Sequence, residues 1–415
     1  MSYKEKLRSA GVIVPELIIP SRRTDQTKYA CVACDQYTSQ PEYWDEVKEY
    51  VGKEVSTLYF TMPEVWLDKK TGEPLNEELQ DHRDLIPANM KFFLVNGSLD
   101  ELDPGMVYVK RTLSDGKIRK GLMVAVDLEE YDSRSDSKAL IKATERTVEE
   151  RVPIRQKVRS KAPLEVSHIL LLYADKEDRL NHLLENECTE NKLYDFDLMK
   201  DSGHLTGYFI DKEDKLDKIA NVLVQYKEDA ADGIAFGVGD GNHSLAAAKA
   251  HWDHFKKFIP ESQRYDHPAR FALVEMVNLY DDAMHFEPIH RILYGVDPKA
   301  VQEELGFDAK NPPDLQALQP KIDEYLAKHP EASIDYIHGL ETAKELEAKD
   351  PEHSLAICWD SYDKDSLFDN VNKYGSLVRK SFSMGHAQDK RFYYEARRIT
   401  KINKEHIVPN ASWNL

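Results

Sequence analysis

The chain has 415 residues, 41% apolar and 31% charged, and a formal net charge of −18 from 74 acidic and 56 basic residues. That is a globular rather than a disordered composition, and its acidic balance argues against nucleic acid as a partner, since phosphate neutralisation needs a basic face. No stretch reaches the roughly 18 consecutive apolar residues of a membrane span, and Met1 to Glu16 lacks the long apolar segment of a secretory signal, so a cytoplasmic protein with no membrane partner is expected.

In chain order, residues 1–175 read as a strand-rich region. Short β-branched or aromatic runs occur at Gly11 to Pro15, Met90 to Val95, Val107 to Arg111 and Leu122 to Val126. Asp115-Gly116 between two such runs predicts a hairpin, and Ser167 to Tyr173 reads as a buried strand. Residues 176–310 form a central core. There Leu216, Ile219, Leu223 and Tyr226 recur at helical spacing, predicting a helix over 215–228 that ends at Asp232-Gly233. A strand over 234–238, a glycine turn and an alanine-rich helix over 244–258 follow, then an apolar run over 269–280. After Asn311-Pro312-Pro313, residues 311–415 alternate helices (315–329, 341–348) with strands (332–337, 354–359). The fold class expected is α+β, with mixed sheets and packed helices around a strand-turn-helix core.

Gly237-Val238-Gly239-Asp240-Gly241-Asn242-His243-Ser244 carries the most chemistry. Glycines after an apolar strand allow positive φ and close backbone approach to a ligand. The helix start that follows offers unpaired N–H groups and the positive end of a dipole, suited to an anion. Gly239, Gly241, Asn242 and Ser244 are the candidate phosphate-binding residues, with Ser244 a candidate helix cap. Asp240 can hold a divalent cation or act as a base, and His243 can donate to a phosphate or move a proton. A tight strand-to-helix turn with ordinary turn residues is the structural alternative.

The strand, Gly239 to Ser244 and the following helix resemble the D-G-H-H-R signature of the domain-of-unknown-function family numbered ten-fifteen. That signature is in turn similar to the D-G-x-H-R nucleotide motif of the ParB/sulfiredoxin-like superfamily. Glu287-Pro288-Ile289-His290-Arg291 resembles the family's P-x-H-R element, Thr144-Glu145-Arg146-Thr147 its H-E-x-T element with Arg155 near its following arginine, and Asp35 its P-Y-D segment. Asn242, Ser244 and Thr144 depart from the pattern, so the basic partner of a phosphate is expected elsewhere, at Arg291 beside His290. The resemblance implies a nucleotide-dependent phosphotransferase acting on a small hydroxylated metabolite such as free serine. ATP or ADP would be the nucleotide, Mg²⁺ would bridge phosphate oxygens at Asp240, and Glu145 would be the base. Two other readings stand beside it: a nucleotide-binding regulator without catalysis, and a metal-dependent hydrolase using Asp240, His243 and His285.

Other features have blander readings. Cys31 and Cys34 form a C-x-x-C spacing without a second ligand pair, and Cys188 and Cys358 lie far off, so buried thiols are expected. His251 and His254, three apart on a helix, read as a solvated face. Lys390 to Arg398 is locally basic; it fits phosphate contacts or an amphipathic element with long aliphatic stems.

Overall fold

The computed structural model describes residues 1–68, 71–146, 152–230 and 233–401. It has an α+β architecture with one large mixed sheet and two smaller ones. Among the described residues the large sheet has ten strands. Its order runs Lys192–Asp197, His204–Ile210, Met106–Thr112, Ile118–Asp127, Phe271–Asn278, Leu170–Tyr173, Phe236–Asp240, Ile141–Ala143 and Tyr131–Asp132, with Val12–Ile13 paired to Ile118–Asp127. Strands from both sides of residue 175 are therefore hydrogen-bonded in one sheet, and sheet membership does not follow the three-segment division of the sequence.

A tight hairpin fixes the register of the central antiparallel pair. Met106–Thr112 and Ile118–Asp127 pair antiparallel with Thr112 opposite Ile118, closed by Leu113 N–H donating to the Lys117 carbonyl at 2.8 Å. Gly116 takes φ +84° in that turn, which is why the Asp115-Gly116 hairpin reads so clearly from sequence. Toward the middle the strands become parallel: Phe271–Asn278 with Leu170–Tyr173 and Phe236–Asp240 with Ile141–Ala143. Leu170–Tyr173 and Phe271–Asn278 are buried along their whole length, as a sheet covered on both sides requires. Helix Glu213–Ala230 covers one face with Leu216, Ile219, Leu223 and Tyr226, the predicted stripe. Its Tyr226 ring stacks on Tyr173 at 4.9 Å. Asp232, expected at its end, lies outside the described residues.

The two smaller sheets bring the C-terminal part back onto the core. Phe286–Tyr294 pairs with Ser333–His338, Ser354–Ile357 and Phe382–Met384. Glu16–Pro20 pairs with Ala396–Arg398, which also pairs with Leu164–Val166.

Two expectations are corrected. Met90 to Val95 is the end of helix Glu77–Val95, not a strand. The Asn76 side chain caps the helix by accepting Leu79 N–H at 2.9 Å. Ile86 and Met90 are buried with Phe93 packed beside them, so a helical period claims the apolar run. His251 is buried rather than solvated: its ring stacks on Phe255 at 6.0 Å, and burial drives its pKa down to about 4. His254 on the same helix is exposed. Among the described residues the four cysteines are free thiols, Cys31 and Cys188 buried and Cys34 and Cys358 half-buried.

Candidate functional site at the Asp240 turn

Strand Phe236–Asp240 runs between two neighbours and stops abruptly. Gly241 adopts φ +79° as the N-cap of helix Asn242–Phe255, a left-handed conformation that favours glycine. Space matters as much as φ there, because a Cβ on Gly241 would lie 2.9 Å from Ile169 Cγ1. A Cβ on Gly239 would lie 2.7 Å from Leu172 Cδ1 and 2.8 Å from Met384 Sδ, so the segment carrying Met384 crosses directly over the strand end. The glycines serve close packing as well as the turn.

Asp240 is not a free carboxylate. Its Oδ1 accepts Gly241 N–H at 2.8 Å and its Oδ2 accepts Lys390 Nζ at 3.1 Å. Lys390 sits between anchored neighbours. Asp389 accepts from Ser114 N–H and Oγ at 2.8 and 3.0 Å, Arg111 donates to the Gln388 carbonyl at 2.9 Å, and Arg119 to the Asp389 carbonyl at 3.0 Å. On the other side Arg391 donates to the Ser167 carbonyl at 3.0 Å and forms ion pairs with Glu275 and Glu395, all three side chains buried. Fixing both flanks fixes where the Lys390 ammonium arrives.

The remaining turn residues divide. Asn242 donates to the Val238 carbonyl at 3.3 Å, and its Oδ1 is buried with no hydrogen-bond partner among the described residues. His243 is half-buried on the first helical turn. Ser244 is not the cap; Gly241 holds that position, and Ser244 Oγ lies 3.5 Å from His168 Nε2.

Glu145 sits across from the turn with a different job from the one expected. Its carboxylate accepts from the backbone N–H groups of Lys380, Ser381 and Phe382 at 3.4, 3.0 and 3.4 Å. Burial pushes its pKa up despite these donors. Glu145 therefore clamps the 380–382 segment, within which Lys380 takes φ +60°. Burial pushes the Lys380 ammonium below the ordinary lysine range; Glu145 opposes this, Arg379 and Lys390 add to it, and Asp35 opposes it again. Lys380, Lys390, Glu145 and Asp35 thus share one electrostatic neighbourhood.

Arg291 is a correction. Rather than offering charge to a ligand, it is wholly buried. Its guanidinium donates to Gln319 Oε1 at 3.0 Å, to the Arg379 and Lys380 carbonyls at 3.0 and 2.6 Å, and to the Ile289 carbonyl. The segment is held from two sides: carbonyls toward Arg291, N–H groups toward Glu145. His290, next on the same strand, is also buried and accepts Trp359 N–H at 3.4 Å. His285 pairs with Asp115 at 3.2 Å by the hairpin, and among the described residues no group of three or more His, Cys, Asp or Glu side chains could hold a metal ion. The donor set at Asp240, one carboxylate already paired with a lysine, does not fit a protein-bound Mg²⁺. Thr147 lies outside the described residues.

Sequence reasoning did not single out Lys380 or His168. Lys390 lay inside the basic 390–398 segment, but nothing local distinguished it from its neighbours.

No curated protein sequence matches the chain. Among solved structures, a free serine kinase mutant in complex with ADP is similar at TM-score 0.38 and 11% identity, over 68% of this chain and 93% of that one. A conserved hypothetical protein from Pyrococcus furiosus follows at TM-score 0.34 and 12% identity, over 67% and 95%. A C-terminally truncated SbnI from Staphylococcus aureus reaches TM-score 0.32 and 9% identity, over 64% and 82%. Likenesses this remote carry nothing about activity to this chain. The sequence itself is matched over residues 18–396 by the model of the family described as Protein of unknown function (DUF1015), and the chain belongs to that family.

Proposed function

We propose that the Asp240 turn binds the phosphates of a nucleotide and that the protein transfers a phosphoryl group to a small hydroxylated metabolite, with free serine the first acceptor to test. The observation that carries this reading is the convergence of Lys390 on Asp240 at a helix N-terminus, with the half-buried Lys380 in the same electrostatic neighbourhood. Two ammonium groups and a helix start supply positive potential where phosphate charge would accumulate. Phosphoryl transfer needs little covalent help from a protein; positioning and charge stabilisation do most of it.

Asp240 acts through Lys390, holding the ammonium at the helix mouth. His243 lies on the first turn of the same helix, and Gly239 and Gly241 let the strand end and the turn pack against Leu172, Met384 and Ile169. Glu145 and Arg291 fix the segment that carries Lys380. No step is assigned to Mg²⁺.

The test is product formation. Purified protein is incubated with ATP, ADP or CTP and a panel of hydroxylated amino acids and sugars, with and without Mg²⁺, and read by phosphorus NMR. A phosphorylated acceptor is expected, and Asp240→Ala should cut turnover by about two orders of magnitude while leaving the fold intact. Nucleotide binding without product across the panel would move the reading to a regulator. The hydrolase reading finds no support in the placement of His285.

A further inference from the structure

The phosphate reading leaves a second group of polar side chains idle beside the helix start. His168 Nε2 lies 3.8 Å from Asp35 Oδ2 and 3.5 Å from Ser244 Oγ. Its Nδ1 lies 2.9 Å from the Tyr393 hydroxyl, which accepts Cys34 N–H at 3.2 Å. The His168 side chain is 6% exposed and Tyr393 2%, whereas the Asp35 side chain is 25% exposed. The group is therefore a buried chain of hydrogen-bonding atoms whose solvent-facing end is a carboxylate.

Proton positions follow from the partners. The Tyr393 oxygen accepts from Cys34, a backbone N–H that can only donate, so the phenol's own hydrogen is available to the imidazole. The neighbouring Cys34 thiol, its pKa pushed up to about 12 by burial, is a weak acceptor beside a ring nitrogen. Nδ1 then accepts from Tyr393, and the imidazole hydrogen sits on Nε2, facing Asp35 and Ser244. Asp35 Oδ1 meanwhile accepts the Gln36 amide at 2.9 Å.

We infer that Asp35 is the catalytic base for the acceptor hydroxyl, with His168 placed beside its carboxylate as a positioning residue and Tyr393 positioning His168. This rests on the phosphotransferase reading above. Asp35 takes the proton of the acceptor O–H as that oxygen forms its bond to phosphorus. The bond from phosphorus to the bridging oxygen of the nucleotide breaks, and its electron pair leaves with that oxygen beside Lys390. The proton on Asp35 then returns to water. A permanently ionised carboxylate suits a loose phosphoryl-transfer transition state, in which the proton leaves late. Burial alone would raise the Asp35 pKa. His168, the Gln36 amide, Arg155 from helix Val152–Lys161 and Lys390 outweigh burial and hold the carboxyl below its ordinary range. Lys380 adds a further positive charge from the 380–382 segment, while Glu64 is paired with Arg155.

The experiment has an arm for each claim. Asp35→Asn should keep nucleotide affinity within about threefold of the parent while kcat falls about a hundredfold or more. Wild-type kcat in a folded, nucleotide-binding Asp35→Asn protein overturns the inference. His168→Phe should move the acid limb of the kcat profile to higher pH, because the carboxylate loses a stabilising partner. His168→Gln, which returns an N–H near the Nε2 position, should restore most of the shift; an unmoved acid limb in His168→Phe overturns the positioning role. Independently of activity, nitrogen NMR of the wild-type protein should show His168 as the Nε2–H tautomer, and the Nδ1–H form sinks the relay. Absence of product with wild-type protein, seen before any variant is made, is instead the failure of the phosphotransferase reading, and removes the base with it.

Discussion

Asp240 and Lys390, 150 positions apart in the chain, meet at 3.1 Å. One ends the strand that leads into the helix Asn242–Phe255, and the other lies in a strap pinned on both sides by buried arginines and carboxylates. Charge at the helix mouth is therefore set by long-range structure.

Lys390→Met should weaken nucleotide binding by about tenfold to a hundredfold, the worth of a charged hydrogen bond lost from a partly buried site. Titration calorimetry with ADP reads this directly. Lys256→Ala, a change in a surface ion pair with Asp253 and Glu129, is the control and should leave affinity unchanged.

Arg291→Met should destabilise the protein by about 3 kcal/mol, because the Gln319 side chain and the carbonyls of Ile289, Arg379 and Lys380 lose their donor inside the fold. Urea denaturation measures it. Arg291→Lys should recover little, since a single ammonium cannot reach acceptors arranged around a planar fork. A surface arginine with a ligand role would instead leave stability untouched.

Gly241→Ala and Gly97→Ala separate backbone strain from crowding. Both glycines have positive φ, +79° and +78°, but a Cβ at Gly97 meets nothing within 4 Å, whereas one at Gly241 would lie 2.9 Å from Ile169. Gly97→Ala should cost about 1 kcal/mol from conformation alone. Gly241→Ala should cost at least about 1 kcal/mol more from the clash. Equal melting temperatures for the two variants would mean that Ile169 yields freely.

Asp35 links stability to acid. Its carboxyl is held below the ordinary range in the folded chain, so the unfolded chain binds the extra proton first. The stabilisation is present in full above the unfolded value, about pH 4, and is lost as pH falls through the lower folded value. Asp35→Asn should therefore flatten stability against pH between about pH 4 and pH 2, followed by denaturant midpoints at each pH.

Much of the fold was legible because local patterns agreed with the global structure. The Leu216, Ile219, Leu223 and Tyr226 stripe gave a helix, Asp115-Gly116 gave a hairpin, and the glycine run gave the strand-turn-helix at Asp240. Met90 to Val95 misled because a short apolar run fits either period, and the Asn76 cap that decides for helix lies fourteen residues upstream.

The candidate site was legible only in part. Asp240, Asn242, His243 and Ser244 follow one another, so sequence alone shows that they stand at one helix start. The partner of the turn could not be read, since a cation 150 positions away is indistinguishable locally from any other lysine of the 390–398 segment. Arg291 looked like a phosphate ligand because an arginine carries the same charge on a surface or in a core. Only tertiary packing revealed that its guanidinium is spent on backbone carbonyls. The sequence by itself determined the elements and the glycine turn, because hydrophobic period and φ preference are properties of neighbouring residues. Which charges face one another at Asp240, Glu145 and Asp35 was decided by tertiary structure alone, because the strap and the 380–382 segment come from more than 130 positions further along the chain and are brought to the turn by long-range packing.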